Sequence, residues 1–375
     1  MVSVEVEGYI SRGDYRGALK GALEIENPLK RLVALAKILS AFPREEVLSK
    51  MLDTIEPLRS APERALAYAI LGRALYTLDR DHDAGIYFEE AIELAGSIGS
   101  ARLRGEVLAG IARNLVLSDR YSEALELFGK AIELLQTSRA YSASVSSLIT
   151  VARLVEKSAD EIPNGMAIDF YRLARDVYSS LRFTLQARHL EEKMELVRDV
   201  LKRGKNVVEE LLERGEVERA VEMMRFLPLE ERAISMLELS YWLFLHGNLQ
   251  LGRRTFEDAL EIMLVGKFKP GDGELRGIGE RFLRIGFLRE PMIIAGLIRD
   301  EGTASELLGE IALSYARRGE MSRALSIAEA IGDESVKKRL LKVLEGEEGV
   351  GHEQGLPSAG GGEGGGTVPE DDRGG

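Results

Sequence analysis

At 375 residues, with 45 % hydrophobic and 30 % charged side chains, most of the chain should fold. It is nevertheless too long for one ordinary compact core unless the architecture is extended. A formal net charge of −12 argues against a general nucleic-acid binder, whose affinity comes largely from neutralised phosphates. Cysteine is absent, which excludes disulfides, zinc–thiolate sites and cysteine nucleophiles.

Few prolines and aromatics, and no convincing run of alternating β-branched residues with hairpin turns, point to an all-α chain. No stretch reaches the roughly 18 uncharged apolar residues of a membrane span. The start, MVSVEVEGYI, carries glutamates and lacks a cationic segment followed by an apolar run. A cytoplasmic protein with no membrane role is the expectation. Asn and Gln are scarce while Glu and Arg are plentiful, a bias shared with thermophile proteins.

Taken in chain order, a short helix over about 2–11 looks like a truncated unit. "GDYRGALKGALEIEN" (13–27) follows, then a first-helix figure in which Leu35-Ala36 precedes Leu39. The same figure, an apolar residue, a small one and a bulky one three further on, recurs as Leu71-Gly72 with Leu75 and Ile111-Ala112 with Leu115. Each is followed by a second helix. "DHDAGIYFEEAIEL" (81–94) matches "DRYSEALELFGKAIELL" (119–135) at an offset of 40, placing Ala84 on Ala124, Phe88 on Phe128 and Ala91 on Ala131. Ala167, Tyr171 and Ala174 repeat that spacing.

Residues 184–213 contain no proline and read as one long helix, able to bend near Gly204, that separates two arrays. Hairpins resume with Leu239-Ser240, Ile278-Gly279 and Ile311-Ala312 on first helices, and with Gly252, Phe256, Ala259 and Ala324 on second helices. Gly13, Gly215, Gly247 and Gly319 sit where a first helix must stop, in the left-handed conformation that ends helices cheaply. The acidic or Asn residue after each suits the start of the next helix. "DESVKKRLLKVL" (333–344) is a charged amphipathic helix that would cap the stack. From 346 glycine and acid dominate, which reads as a disordered tail. The expected organisation is an N-terminal array over 1–183, a long helix with a C-terminal array and cap over 184–345, and the tail over 346–375.

These repeats resemble the tetratricopeptide repeat (TPR) family and its helical-hairpin relatives across roughly residues 1–345. That resemblance implies an α-solenoid of antiparallel hairpins winding as a right-handed superhelix, with small residues where helices cross and bulky ones between. Gly72, Ala84, Phe88, Ala91, Ala112, Ala124, Phe128, Ala131, Ala312 and Ala324 are the expected packing positions. The tryptophan that often opens the family's first helix is replaced by Tyr68, Leu108, Met236 or Leu308, and the closing proline is mostly missing. The repeat spacing drifts over roughly 32 to 40 residues, against the family's 34.

Little in the chain nominates chemistry. The four histidines are scattered, and no HExxH, GxSxG or Walker pattern appears. "VGKFKPGDGE" (265–274) lacks the GK[ST] end of a phosphate loop and reads as a loop between hairpins. No cofactor, metal or enzymatic activity is expected. The resemblance instead implies binding of a peptide along the first helices. There, the residue after the small packing position is Lys37, Arg73 or Arg113, with Arg153 continuing the row and Tyr76 beside it. Such a row suits an acidic peptide segment, since arginine grips carboxylates by forked hydrogen bonds.

In the second array the equivalent residues are Tyr241, Glu280 and Leu313, with Phe244 and Leu245 near Tyr241, suggesting an apolar patch. Trp242 is expected to pack between helices. The leading expectation is a non-enzymatic protein- or peptide-binding scaffold. The alternatives are a sensor that relays groove occupancy to a partner, or a helical enzyme with an unrecognised site. The acidic run Glu370-Asp371-Asp372 offers the basic row a ligand from its own chain.

Overall fold

The computed structural model describes residues 4–137 and 141–350. Among them there are twenty α-helices and no strand, and no helix is long and apolar enough to cross a membrane. The chain divides into two compact units, Met1–Pro228 and Leu229–Gly375.

In the first unit a short hairpin, α1 (Val4–Ser11) with α2 (Tyr15–Leu23), leads into four larger ones. These are α3 (Pro28–Ala41) with α4 (Glu45–Ile55), α5 (Ala61–Tyr76) with α6 (Asp81–Gly96), α7 (Ala101–Val116) with α8 (Tyr121–Gln136), and α9 (Tyr141–Ala159) with α10 (Ala167–Ser180). The first helices form one layer, α3 on α5, α5 on α7 and α7 on α9. The unit closes with α11 (Thr184–Arg203), α12 (Lys205–Glu213) and α13 (Val217–Met224).

The second unit repeats the plan. Here α14 (Leu229–Leu245) pairs with α15 (Leu249–Gly266), α16 (Asp272–Arg284) with α17 (Arg289–Ala295), and α18 (Glu301–Arg317) with α19 (Met321–Ala330). The first helices again touch in succession, ending on α20 (Glu334–Val350). Each unit is thus a stack of antiparallel helical hairpins.

The helix starts follow from local chemistry. Asn27, Ser60, Ser100 and Asp300 each accept a backbone N–H from the first turn of α3, α5, α7 and α18, satisfying a donor that has no partner within the helix. Pro28 and Pro62 sit in first turns, where a missing N–H costs nothing. Of the four residues that follow the turn glycines, only Asp14 caps its helix through its side chain.

The small residues lie where helices touch. A methyl group added to Gly72 would stand 3.1 Å from the Ala84 carbonyl and 3.2 Å from the Phe88 ring, and one on Gly105 would stand 3.0 Å from the Ala131 carbonyl. Ala84, Ala91, Ala112, Ala124, Ala131, Ala312 and Ala324 are buried, as are Phe88 and Phe128. In the second unit the Ser240 hydroxyl donates to the Gly252 carbonyl at 2.8 Å, which fixes the close approach of α14 and α15.

Three features differ from the sequence expectation. Gly204 takes φ +63°, breaking the supposed long helix into α11 and α12, and α11 lies along α10. The two compact units divide after Pro228, within the expected 184–345 segment. The hairpin turns with positive φ include Asp79, Asp119 and Arg182 as well as the four glycines. At Asp79 and Asp119 the backbone closes the helix with the same pair of bonds as at Gly13, so the turn conformation is constant while the residue is not. Finally, α20 runs on to Val350, past the expected end at 344. The tail from residue 351 lies outside the described residues.

Candidate functional site

The basic row of the first unit is built on consecutive first helices, each residue standing next to a small buried one. Its members differ in what satisfies their charge. Lys37 on α3 is exposed and donates to Glu7 at 2.5 Å, and this bond, with the lysine's charge, holds the Glu7 carboxyl below its usual range. Arg113 on α7 has only 14 % of its side chain exposed. It donates to the Glu161 carboxylate and, at 3.3 Å, to the Ser158 hydroxyl.

Arg73 on α5 is half-buried and, among the described residues, its side chain makes neither a hydrogen bond nor an ion pair. Burial, and after it the like charge of Arg113, push its guanidinium below the ordinary value, with Glu161 acting in the opposite sense. Two guanidiniums therefore share the field of one carboxylate, which contacts only one of them. Arg153 is exposed and interacts with Tyr178, near Glu156, instead of joining this group.

The repeat explains the vacancy beside Arg73. Ser158 and Glu161, the partners of Arg113, lie 40 residues after Ser118 and Tyr121 in a region where the repeat offset is 40. The position that would supply Arg73 with a carboxylate is thus occupied by Tyr121. The Ser118 hydroxyl is engaged with the Asn114 carbonyl at 3.1 Å, and the Tyr121 hydroxyl donates to Asp119 at 2.5 Å. Tyr76 also donates to Asp119, at 3.4 Å, which fixes its ring at the end of α5.

A second polar cluster in the same unit is structural. Asp160, just beyond α9, accepts from the Tyr171 hydroxyl and from Lys193, both at 2.7 Å, and Arg225 donates to its backbone carbonyl and, at 2.7 Å, to the Tyr171 hydroxyl. Burial alone would push the Asp160 carboxyl up. The bonds from Lys193 and Tyr171, with the charges of Lys193 and Arg225, outweigh burial and bring it below its usual range. One carboxylate thereby ties α10, α11 and the end of α13 to the turn after α9.

The second unit presents different chemistry on its first helices. Arg276 on α16 donates to Glu280 at 2.7 Å and to Glu306, with Glu310 at 3.9 Å. Three carboxylates surround one guanidinium. Burial, then repulsion from Glu280, raises the Glu310 carboxyl despite Arg276. Next to this cluster Arg281 pairs with buried Glu238 and lies over the Tyr241 ring at 5.5 Å.

Of the apolar patch expected here, Phe244 goes to the core while Leu245 stays exposed. Phe244 is 3 % exposed and packs into the core against Phe282 and Phe287 at 5.5 and 4.5 Å, because its position on α14 faces the hairpin rather than the open face. Tyr241 is half-covered beneath Arg281, and its edge meets Phe282. Trp242, partly buried, stacks on His246 of its own helix at 3.8 Å, one turn away.

Residue type and repeat position together nominated Arg73, Arg113 and Tyr76. They missed Glu161, although aligning 118–121 on 158–161 would have brought it out. The carboxylates around Arg276 carry no distinguishing signal in a chain with this many glutamates.

Neither a family model nor a curated protein matches the chain. Among solved structures it is similar to Ton1535 from Thermococcus onnurineus NA1, at 26 % identity and a TM-score of 0.53, over 91 % of this chain and 98 % of that one. Yeast Tom70 is 15 % identical over 92 % of this chain and 88 % of that one, with a TM-score of 0.26. A Rap protein complexed with Competence and Sporulation Factor is 12 % identical over 91 % of this chain and 99 % of that one, with a TM-score of 0.23. At such scores the last two carry no argument about this chain. The hairpin stack with small residues at its helix crossings settles the architecture. The fold is TPR-like. Such a fold sets out rows of side chains at fixed spacing, and function depends on what those rows carry.

Proposed function

We propose that the protein is a non-enzymatic scaffold that binds an acidic segment of a partner protein along the first-helix layer of its first unit. The observation that carries this reading is Arg73, a half-buried guanidinium with no counter-ion among the described residues. Desolvating a cation without a partner is unfavourable, and a carboxylate from a ligand removes the penalty. Arginine is suited to that task because its planar fork donates two parallel bonds to a carboxylate. The layer is preorganised by the packing of α3, α5, α7 and α9, so little ordering entropy is lost on binding.

A pull-down from native lysate tests it, with wild type beside an Arg73→Glu, Arg113→Glu variant whose folding is verified by circular dichroism. A partner held by wild type, lost by the variant and carrying an acidic segment supports the reading. Equal retention by both moves binding off this face.

A further inference from the structure

Glu161 is held by Arg113 while remaining exposed to solvent. It sits on the turn between α9 and α10, with 38 % of its side chain accessible, whereas the arginine it holds is nearly covered. Its backbone is anchored independently, because its N–H donates to the Ser158 carbonyl at 3.1 Å. The carboxylate can therefore swing away without unfolding the turn. Arg113 would keep its bond to the Ser158 hydroxyl, and Arg73, on the helix α5 packed against α7, would lose the one carboxylate that offsets the charge of Arg113.

We infer that Glu161 is an internal competitor: it occupies Arg113 in the free protein, and a ligand carboxylate displaces it to bridge Arg73 and Arg113. The inference rests on the groove reading above and adds to it the chemical class of the anchor, a carboxylate, and the residue that sets its affinity. Three observations support the exchange. The incoming group replaces like with like on Arg113, so that arginine is never left buried without an anion. It also satisfies Arg73, which Glu161 does not contact. And Glu161 leaves for water from an exposed position, so the cost of breaking the pair falls on Arg113, which the incoming carboxylate covers. The same logic fixes the sign of the effect of Glu161. It lowers affinity for the ligand, although it belongs to the site.

The test uses the full chain and an N-terminally labelled octaglutamate peptide, in free-acid and C-terminally amidated forms, titrated by fluorescence anisotropy at low and physiological salt. Glu161→Gln should bind about three- to tenfold tighter than wild type, a gain of about 0.7–1.4 kcal/mol at 1.4 kcal/mol per decade. Glu126→Gln, which removes the same charge from the exposed pair with Lys130 on α8, should bind as wild type does. Arg73→Gln should bind at least about tenfold more weakly. Equal binding of the two peptide forms identifies the anchor as a side-chain carboxylate, and a preference for the free acid identifies it as a chain terminus; either fits.

If Glu161→Gln binds no tighter than wild type, or if Glu126→Gln gains as much, the competitor role is overturned while the groove reading stands. If Arg73→Gln binds as wild type does, or none of the proteins binds either peptide, both are overturned. Glu161→Gln leaves the nearly covered Arg113 with only the Ser158 hydroxyl, so its unfolding temperature should fall below that of wild type, and saturating octaglutamate should restore it. A fall that the peptide does not reverse assigns the Arg113–Glu161 pair to stability and overturns the competitor role.

Discussion

The two units are built alike and charged oppositely where their first helices line up. In the first unit, two guanidiniums on α5 and α7 share one carboxylate, and Arg73 is left over. In the second, three carboxylates on α16 and α18 surround one guanidinium, and burial, then repulsion from Glu280, raises the Glu310 carboxyl. The packing residues beneath are interchangeable in kind: Gly72 against Phe88 in one unit, Gly252 against Phe244 in the other. The difference teaches that this architecture separates its tasks. Buried small and bulky positions hold the stack together, while the neighbouring half-buried positions are free to take either sign.

The largest test of that separation concerns the packing. Phe128→Ala in the first unit and Phe282→Ala in the second each remove a fully buried ring, and each should cost about 3–5 kcal/mol in chemical denaturation. Comparable losses support one packing scheme for both units, and a loss confined to one unit breaks it.

Next in size is the cluster around Asp160, which belongs to the first unit. Asp160→Asn should cost about 1–3 kcal/mol near neutral pH, since it weakens charge-assisted bonds to Lys193 and Tyr171 at a partly exposed carboxylate. The Asp160 carboxyl titrates lower in the folded protein than in the unfolded chain. Its contribution is therefore fully present above the unfolded value and is lost as pH falls through the folded one. The gap between wild type and variant should narrow on acidification, and a gap that widens would contradict the assignment.

How much of this was legible in the sequence follows from what a repeat encodes. The apolar, small and bulky figure at Leu71-Gly72-Leu75 is a local pattern with a local cause, so the hairpins and their contacts were readable. Arg73 and Arg113 were readable as a row because each follows such a figure. Their unequal satisfaction was not, because it depends on Glu161 reaching Arg113 from 48 residues away. Phe244 was misplaced for a related reason: it lies next to the open face in sequence, and only the crossing with α15 decides which way the ring points. Asp79 and Asp119 escaped as turn residues because a search for glycine finds only the residue that adopts positive φ most cheaply.

The smallest effect sharpens the charge contrast. The Glu310 carboxyl titrates higher when folded, so its ionised form opposes folding of the second unit, and the favourable protonated form is lost as pH rises through the folded value. Glu310→Gln should therefore stabilise the protein near neutral pH, by at most about 0.5 kcal/mol given its exposure, and the gain should vanish on acidification. Thermal unfolding across that range reads both the sign and its pH dependence.

The most direct test of the central claim is hydrogen exchange on the full chain with and without saturating octaglutamate. The account predicts slowed exchange in residues 61–76 and 101–116, the helices that carry Arg73 and Arg113, and no change in 272–284 or 301–317, where carboxylates predominate. Protection of the second set instead of the first would contradict it.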